Sequence, residues 1–391
     1  MAREIYTYYD AVDHLQRFAK SRGLSSHGHP TMRAAVLNAY EEVTEAYSWL
    51  FQKKFCRINL KAAESTGTIE FDYTGGTYER ELTLSDSTWN SDAATWSVLI
   101  DDVIYDIDQR KSDTVVTLDS SQTPIADIAA ATDYEAFPRY YLLPEDFQSA
   151  SDPLPEETEA ILGKYVSWEM LQSRMRSAPD SGEPIMWTIG AAPGNYGRFA
   201  LFIHPVASSA QTVDIPYRAK PRELRYSGHE KKCSAGTIAV TAGSADVTGT
   251  STTFEKLMEG CVLRIGSSTT IQPTGLAGQD PWAEQAVIKT YTSATAIVTE
   301  SNIVTAASGV KATVTDPIDL DPAAIGAFLR MVEKQLLYES GKYTPADEKR
   351  CREALMRART GANRTSNRRR IAGHETLIPK YPVTTEYEDV S

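Results

Sequence analysis

The chain has 391 residues, 41% of them hydrophobic and 24% charged, with a mean hydropathy of −0.35 and a formal net charge of −12. That length allows two or three domains with real cores, and no run approaches the roughly 18 to 20 apolar residues that cross a bilayer. Met1-Ala2-Arg3-Glu4-Ile5-Tyr6 has no apolar signal core, so assembly in the cytoplasm is expected.

In chain order, residues 10 to 22 read as a short helix capped by Asp10, with Val12, Leu15, Phe18 and Ala19 as its stripe and Gly23 as its stop. Pro30 suits the first turn of a second helix, in which Met32, Val36, Ala39, Val43, Tyr47, Leu50 and Phe51 recur at helical steps. A β-module follows over 61–135. Asp72 to Thr77 carries a Gly-Gly turn, and Asp101-Asp102 between Val98-Leu99-Ile100 and Val103-Ile104-Tyr105 reads as a hairpin. A helix over 94–110 competes with that reading, because apolar residues also fall at helical steps there.

Residues 136–232 read as a connector, a helix and strands. The connector is Phe137 to Phe147; the helix starts at Pro153 and Pro155 and carries Ile161, Tyr165, Trp168, Leu171 and Met175 on one face. Strands are expected at Ile185–Ile189, Phe199–Ile203 and Thr212–Tyr217. A second β-module occupies 233–316. A helix opens at Asp321-Pro322 and ends at Gly341. Another opens at Thr344-Pro345-Ala346-Asp347 and is expected to stop at Gly361. Nothing periodic follows from 362 to 391.

The two β-modules repeat one pattern. Gly67-Thr68-Ile69-Glu70-Phe71 answers Gly236-Thr237-Ile238-Ala239-Val240; Trp89 answers Phe254; Lys111 to Leu118 answers Thr292 to Thr299. The fold class expected is therefore α+β: a discontinuous α-helical bundle (1–60, part of 136–232, and 317–361) with two inserted small β-barrel or β-sandwich modules and an extended C-terminal tail (362–391). Duplicated binding folds supply surface, which favours an assembly component over an enzyme.

Charge is segregated. Residues 349–370 hold nine basic residues and one acid, Glu353, so this stretch carries +8 and the remainder −20. A basic arm on an acidic body points to an acidic partner. Tyr outnumbers Phe by 20 to 10, a composition suited to contact surfaces.

Motifs of catalysis are thin. Cys56, Cys233, Cys261 and Cys351 have no metal-like spacing and read as reduced thiols. His27-Gly28-His29 lacks a third ligand, and Gly190-Ala191-Ala192-Pro193-Gly194 lacks the lysine of a phosphate loop. Asp101/Asp102 and Asp106/Asp108 invite a glycosidase reading, but acids on a solvated hairpin are far commoner than catalytic dyads. No catalytic residue, metal or cofactor is expected.

The chain resembles the head–tail adaptor (connector, head-completion) proteins of tailed bacteriophages. The likeness rests on Leu143-Pro144-Glu145-Asp146-Phe147, on Phe202-Ile203-His204-Pro205 with Tyr217-Arg218-Ala219-Lys220-Pro221, and on a helical frame closing on a basic C-terminal segment. The resemblance implies a non-enzymatic virion protein of the neck or tail region. It implies a homo-oligomeric ring, commonly of twelve subunits, that docks beneath the portal protein and joins it to a tail, nozzle or fibre protein. Genomic DNA would pass through the channel without sequence-specific binding, and no membrane is involved. The portal-binding residues expected are Arg364, Arg368, Arg369 and Arg370, followed by the anchors Leu377, Ile378, Tyr381 and Tyr387. The alternative is a tail-tube or decoration protein whose β-modules hold a fibre or a host glycan.

Overall fold

The computed structural model describes residues 5–24, 29–47, 49–73, 80–151, 154–175, 181–273 and 282–374. The chain divides into two compact units, one formed by Gln52–Lys220 and the other by Met1–Phe51 with Pro221–Ser391. Among the described residues there are six α-helices: α1 (Tyr8–Ser21), α2 (His29–Ala46), α3 (Glu156–Leu162), α4 (Trp168–Met175), α5 (Pro322–Glu339) and α6 (Pro345–His374).

The expected discontinuous helical bundle does not form. Strands outweigh helices, and two curled seven-stranded half-barrel sheets are the largest elements, so the class is α+β without a bundle, and neither module is a closed barrel or a sandwich. The helical stretch expected from Pro153 breaks for a local reason. Gly163 sits at φ +72°, where a Cβ would lie 2.3 Å from the Ile185 carbonyl oxygen. Lys164–Tyr165 then leaves the helix and pairs in parallel with the strand Met186–Ala191. Tyr165, expected on a buried face, is exposed. The resulting short helices α3 and α4 belong to the unit Gln52–Lys220, whereas α1, α2, α5 and α6 share a core in the other unit.

That helical core has legible causes. Thr7 rather than Asp10 caps α1; its backbone N donates to the Asp10 carboxylate at 2.9 Å, closing a capping box. Tyr8, Val12, Leu15 and Ala19 face inward. Asp321 caps α5 by accepting from Ala323 N at 2.8 Å, with Pro322 in the first turn. Phe328, Met331, Val332 and Leu336 meet Val36, Ala39 and Val43 of α2 in the same cluster. α6 opens on Thr344 and Asp347, paired at 2.6 Å, and contributes Cys351 and Ala358. It does not stop at Gly361. A glycine inside a helix costs only about 1 kcal/mol against alanine, and no proline intervenes before Pro379, so the helix continues to His374 and no extended segment begins at 362.

The repeat holds at the level of topology. The first module contains strands Thr68–Phe71, Glu81–Ser85, Trp96–Ile100, Val103–Arg110, Val115–Leu118, Ile128–Thr132 and Glu135–Pro138. The second contains Thr237–Val240, Asp246–Thr250, Val262–Ile265, Glu284–Ser293, Ala296–Thr299, Ala307–Val310 and Ala312–Thr315. Counted from one to seven within its module, the strands lie in the order 6-1-2-5-4-3-7 in both sheets. Irregularities recur too: strands one and six shift register between Ile69 and Phe71 and, in the second copy, between Ile238 and Val240. Trp89 N donates to Asp113 O at 2.7 Å where Phe254 N donates to Ala294 O at 3.1 Å. In place of a helix over 94–110, a short 3-10 turn at Ala93–Thr95 leads into the strands Trp96–Ile100 and Val103–Arg110, joined by a tight turn in which Asp101 and Asp102 both take positive φ.

The rest of the unit Gln52–Lys220 is built on two small sheets and a two-stranded parallel pairing of Ser181–Gly182 with Val206–Ala207. Gln211–Ala219 is central between Lys53–Leu60 and Phe147–Ala150. The other sheet runs Lys164–Tyr165, Met186–Ala191, Phe199–His204, Tyr141–Leu142. Ile58, Leu60, Phe147, Trp187, Leu201 and Ile215 share one core between them.

Candidate interaction surfaces

Two of the sequence strings singled out above meet in space. The Asp146 carboxylate accepts from Tyr217 Oη at 2.8 Å and from Lys54 Nζ at 2.6 Å, and its backbone oxygen accepts from Lys220 N at 2.5 Å. Phe147 stacks on Tyr217 with ring centroids 5.4 Å apart. Burial pushes the Asp146 carboxyl up, but the hydrogen bonds from Lys54 and Tyr217 outweigh it and hold the group below the ordinary carboxylate range. The same contact, with burial as the larger cause, pushes the Tyr217 phenol up. The string Leu143–Phe147 thus staples the edge strand Phe147–Ala150 to the central strand Gln211–Ala219.

That staple forms one wall of a cleft of about 780 Å³. Phe147, Leu154, Trp187, Ile189 and Phe199 line it, with Gln148, Glu159, Lys164 and Tyr165 supplying polar groups. Both flanking strands, Phe147–Ala150 and Lys164–Tyr165, are outermost in their sheets. Tyr165 is 64% exposed, its ring edge-on to Trp187 at 5.0 Å. Gln148 Oε1 is buried with no hydrogen-bond partner. Sequence reasoning did not find this cleft; its aromatic residues, Phe147, Tyr165, Trp187 and Phe199, come from four separate segments.

α6 is the second surface. By spacing, Arg350, Arg357, Arg364 and Arg368 fall on one helical stripe, about 27 Å long at 1.5 Å per residue. Arg350, Arg352 and Arg357 are exposed, and each reaches an acid of its own helix only at 3.7–3.8 Å. Exposed pairs of this kind contribute little, so the charges are available to a partner. The Arg359 guanidinium lies over the Tyr47 ring at 4.8 Å. Arg364, Arg368, Arg369 and Arg370 stand on the helical backbone instead of an extended strap. Leu377, Ile378, Tyr381 and Tyr387 lie outside the described residues.

The remaining candidates are held by contacts within the fold. Asp106 accepts from Ser97 Oγ at 2.7 Å and pairs with Arg139, while Asp101 and Asp102 form the hairpin turn. His14 Nε2 lies 3.0 Å from Glu333 Oε1. His27 lies outside the described residues, and His29 opens α2. Among the described residues no group of three or more His, Cys, Asp or Glu could hold a metal. All four cysteines are free and buried, and burial pushes the Cys56 and Cys351 thiols up to about 11.

The two half-barrels also expose aliphatic side chains at matching places. Ile125 and Val304 each lie three residues before strand six, 91% and 78% exposed. No helix among the described residues is long and apolar enough to cross a membrane. No protein-family model, curated protein or solved structure matches the chain.

Proposed function

We propose that the chain is a structural virion protein, a head-to-tail adaptor whose copies form a ring beneath the portal and join it to the tail or nozzle. The observation that carries this reading is the arginine stripe of α6. Nine basic residues stand within 349–370 of a chain that is otherwise strongly acidic, on a helix with no acid between Glu353 and His374. A helix polar over most of its circumference either bridges to another surface or relies on side-chain pairs along itself, and the pairs along α6 are long, at 3.7–3.8 Å. Arginine forks suit partner carboxylates, and the portal is the acidic partner assigned here. Acidity elsewhere would disfavour adhesion to DNA in a channel.

The test is the particle mass of the chain mixed with its portal protein, by native mass spectrometry. The proposal expects a discrete complex containing multiple copies of the chain; a strictly monomeric species beside an unaltered portal contradicts it.

A second reading has one observation in its favour. Two modules of identical strand order, each with an exposed aliphatic residue before strand six, could engage a repeated ligand on a fibre or a glycan. Substitution of Ile125 and Val304 by Asp would abolish fibre or host-cell attachment on that reading and leave portal association intact on the first.

A further inference from the structure

We infer that the aromatic cleft of the unit Gln52–Lys220 is the receptor for residues 377–383 of a second copy of this chain. In one respect the inference rests on the adaptor reading: a ring places copies side by side, so that one can supply the segment. The cleft itself is a property of the structure. Its floor is aromatic, made by Phe147, Trp187 and Phe199, with Tyr165 projecting at the rim. Grooves of this kind take segments in the polyproline conformation, which carry their order with them and lose little entropy on docking.

The chain contains one such segment beyond the described residues. Leu377-Ile378-Pro379-Lys380-Tyr381-Pro382-Val383 spaces its two prolines three apart, one polyproline turn, and surrounds them with aliphatic and aromatic side chains. Residues 375–391 number seventeen, a contour of about 56 Å at full extension, ample to reach a neighbour. The cleft wall carries one acid, Glu159, and one base, Lys164. Glu159 at the cleft wall is exposed and has no ion-pair partner among the described residues, and Lys380 lies between the prolines. Gln148 Oε1, buried without a donor, would accept from a backbone N–H of the docked segment. Each prolyl nitrogen lacks a hydrogen, so the donor is a neighbouring residue.

The assay is fluorescence anisotropy with a labelled synthetic peptide of residues 375–391, titrated with the full-length chain. Saturable binding is expected, weakened about tenfold by Tyr165→Ala, since aromatic anchors dominate such contacts. Glu159→Lys weakens binding, and a peptide carrying Lys380→Glu restores it against that variant. Both substituted side chains are exposed, so folding is retained, checked by circular dichroism. Absence of binding, or identical binding by wild type, Tyr165→Ala and Glu159→Lys, overturns the inference. In sedimentation velocity, Pro379→Ala/Pro382→Ala and Tyr165→Ala are each expected to shift full-length protein towards monomer. Peptide binding without that shift also overturns it, because the occupant is then not a second copy. Neither readout contains portal, so failure here is separable from failure of portal docking.

Discussion

The Tyr217 hydroxyl donates a 2.8 Å hydrogen bond to the Asp146 carboxylate, across 71 residues of sequence. With Lys54 on the same carboxylate, this contact ties together three strands of one sheet. Tyr217→Phe removes the bond and leaves the ring stack on Phe147, so a loss of about 1 kcal/mol in urea denaturation is expected. Asp146→Ala removes both bonds and costs more.

The same site gives a pH dependence of defined sign. The Asp146 carboxyl is held below its usual value of 3.8, so the unfolded chain binds the proton more readily. Its stabilisation is full above that ordinary value and is lost as pH falls through the lower, folded one. Wild-type stability should therefore fall more steeply below about pH 4 than that of Asp146→Asn. Parallel curves for the two proteins would refute the assignment.

The repeat predicts paired backbone effects. Gly67 and Gly236 open their modules at φ +89° and +70°, and an added Cβ would stand 2.3 Å from Ser85 O and 2.2 Å from Thr250 O. Alanine at either should cost about 1–3 kcal/mol or more. Gly243, at φ +80° with open space around it, should show only the left-handed backbone term, about 1–2 kcal/mol. Thermal unfolding of the three variants measures the difference.

A buried ion pair makes a sharper test of packing. Arg264 is 1% exposed, donates to Asp10 at 2.5 Å and lies 3.9 Å over the Trp282 ring. Asp10→Ala strands that charge and also removes the α1 capping box, so a loss of about 3–5 kcal/mol is expected. Arg264→Met, which removes the charge and keeps most of the volume, should cost less.

The proposed docking of α6 on a portal ring predicts an electrostatic, salt-sensitive interaction. Replacing Arg364 and Arg368 by Glu reverses half of the stripe and should abolish portal co-sedimentation at physiological salt. Wild-type co-sedimentation should weaken as the Debye length shortens from about 8 Å to about 3 Å between 0.15 and 1 M salt.

Much of this was legible in the sequence, and each failure has an identifiable physical cause. The matched strings at Gly67 and Gly236 anticipated two copies of one strand order because Gly-φ constraints and alternating apolar residues are written locally. The strands around Trp187, Phe199 and Ile215 were legible for the same reason. The helix expected across 155–178 is broken into two short ones, since its apparent face ran through Gly163, which lies against Ile185, 22 residues away. The run past Gly361 was missed because a lone glycine is only a weak stop. The cleft stayed hidden because Phe147, Trp187 and Phe199 come together only through strand pairing. The orphaned Gln148 acceptor has no sequence signature at all.

The adaptor proposal is decided by electron microscopy of the chain mixed with the portal protein proposed as its partner. Two-dimensional class averages should show a second ring coaxial with the portal, lost when Arg364 and Arg368 are replaced by Glu. Averages showing the portal alone, with the chain dispersed as single copies, would contradict the account.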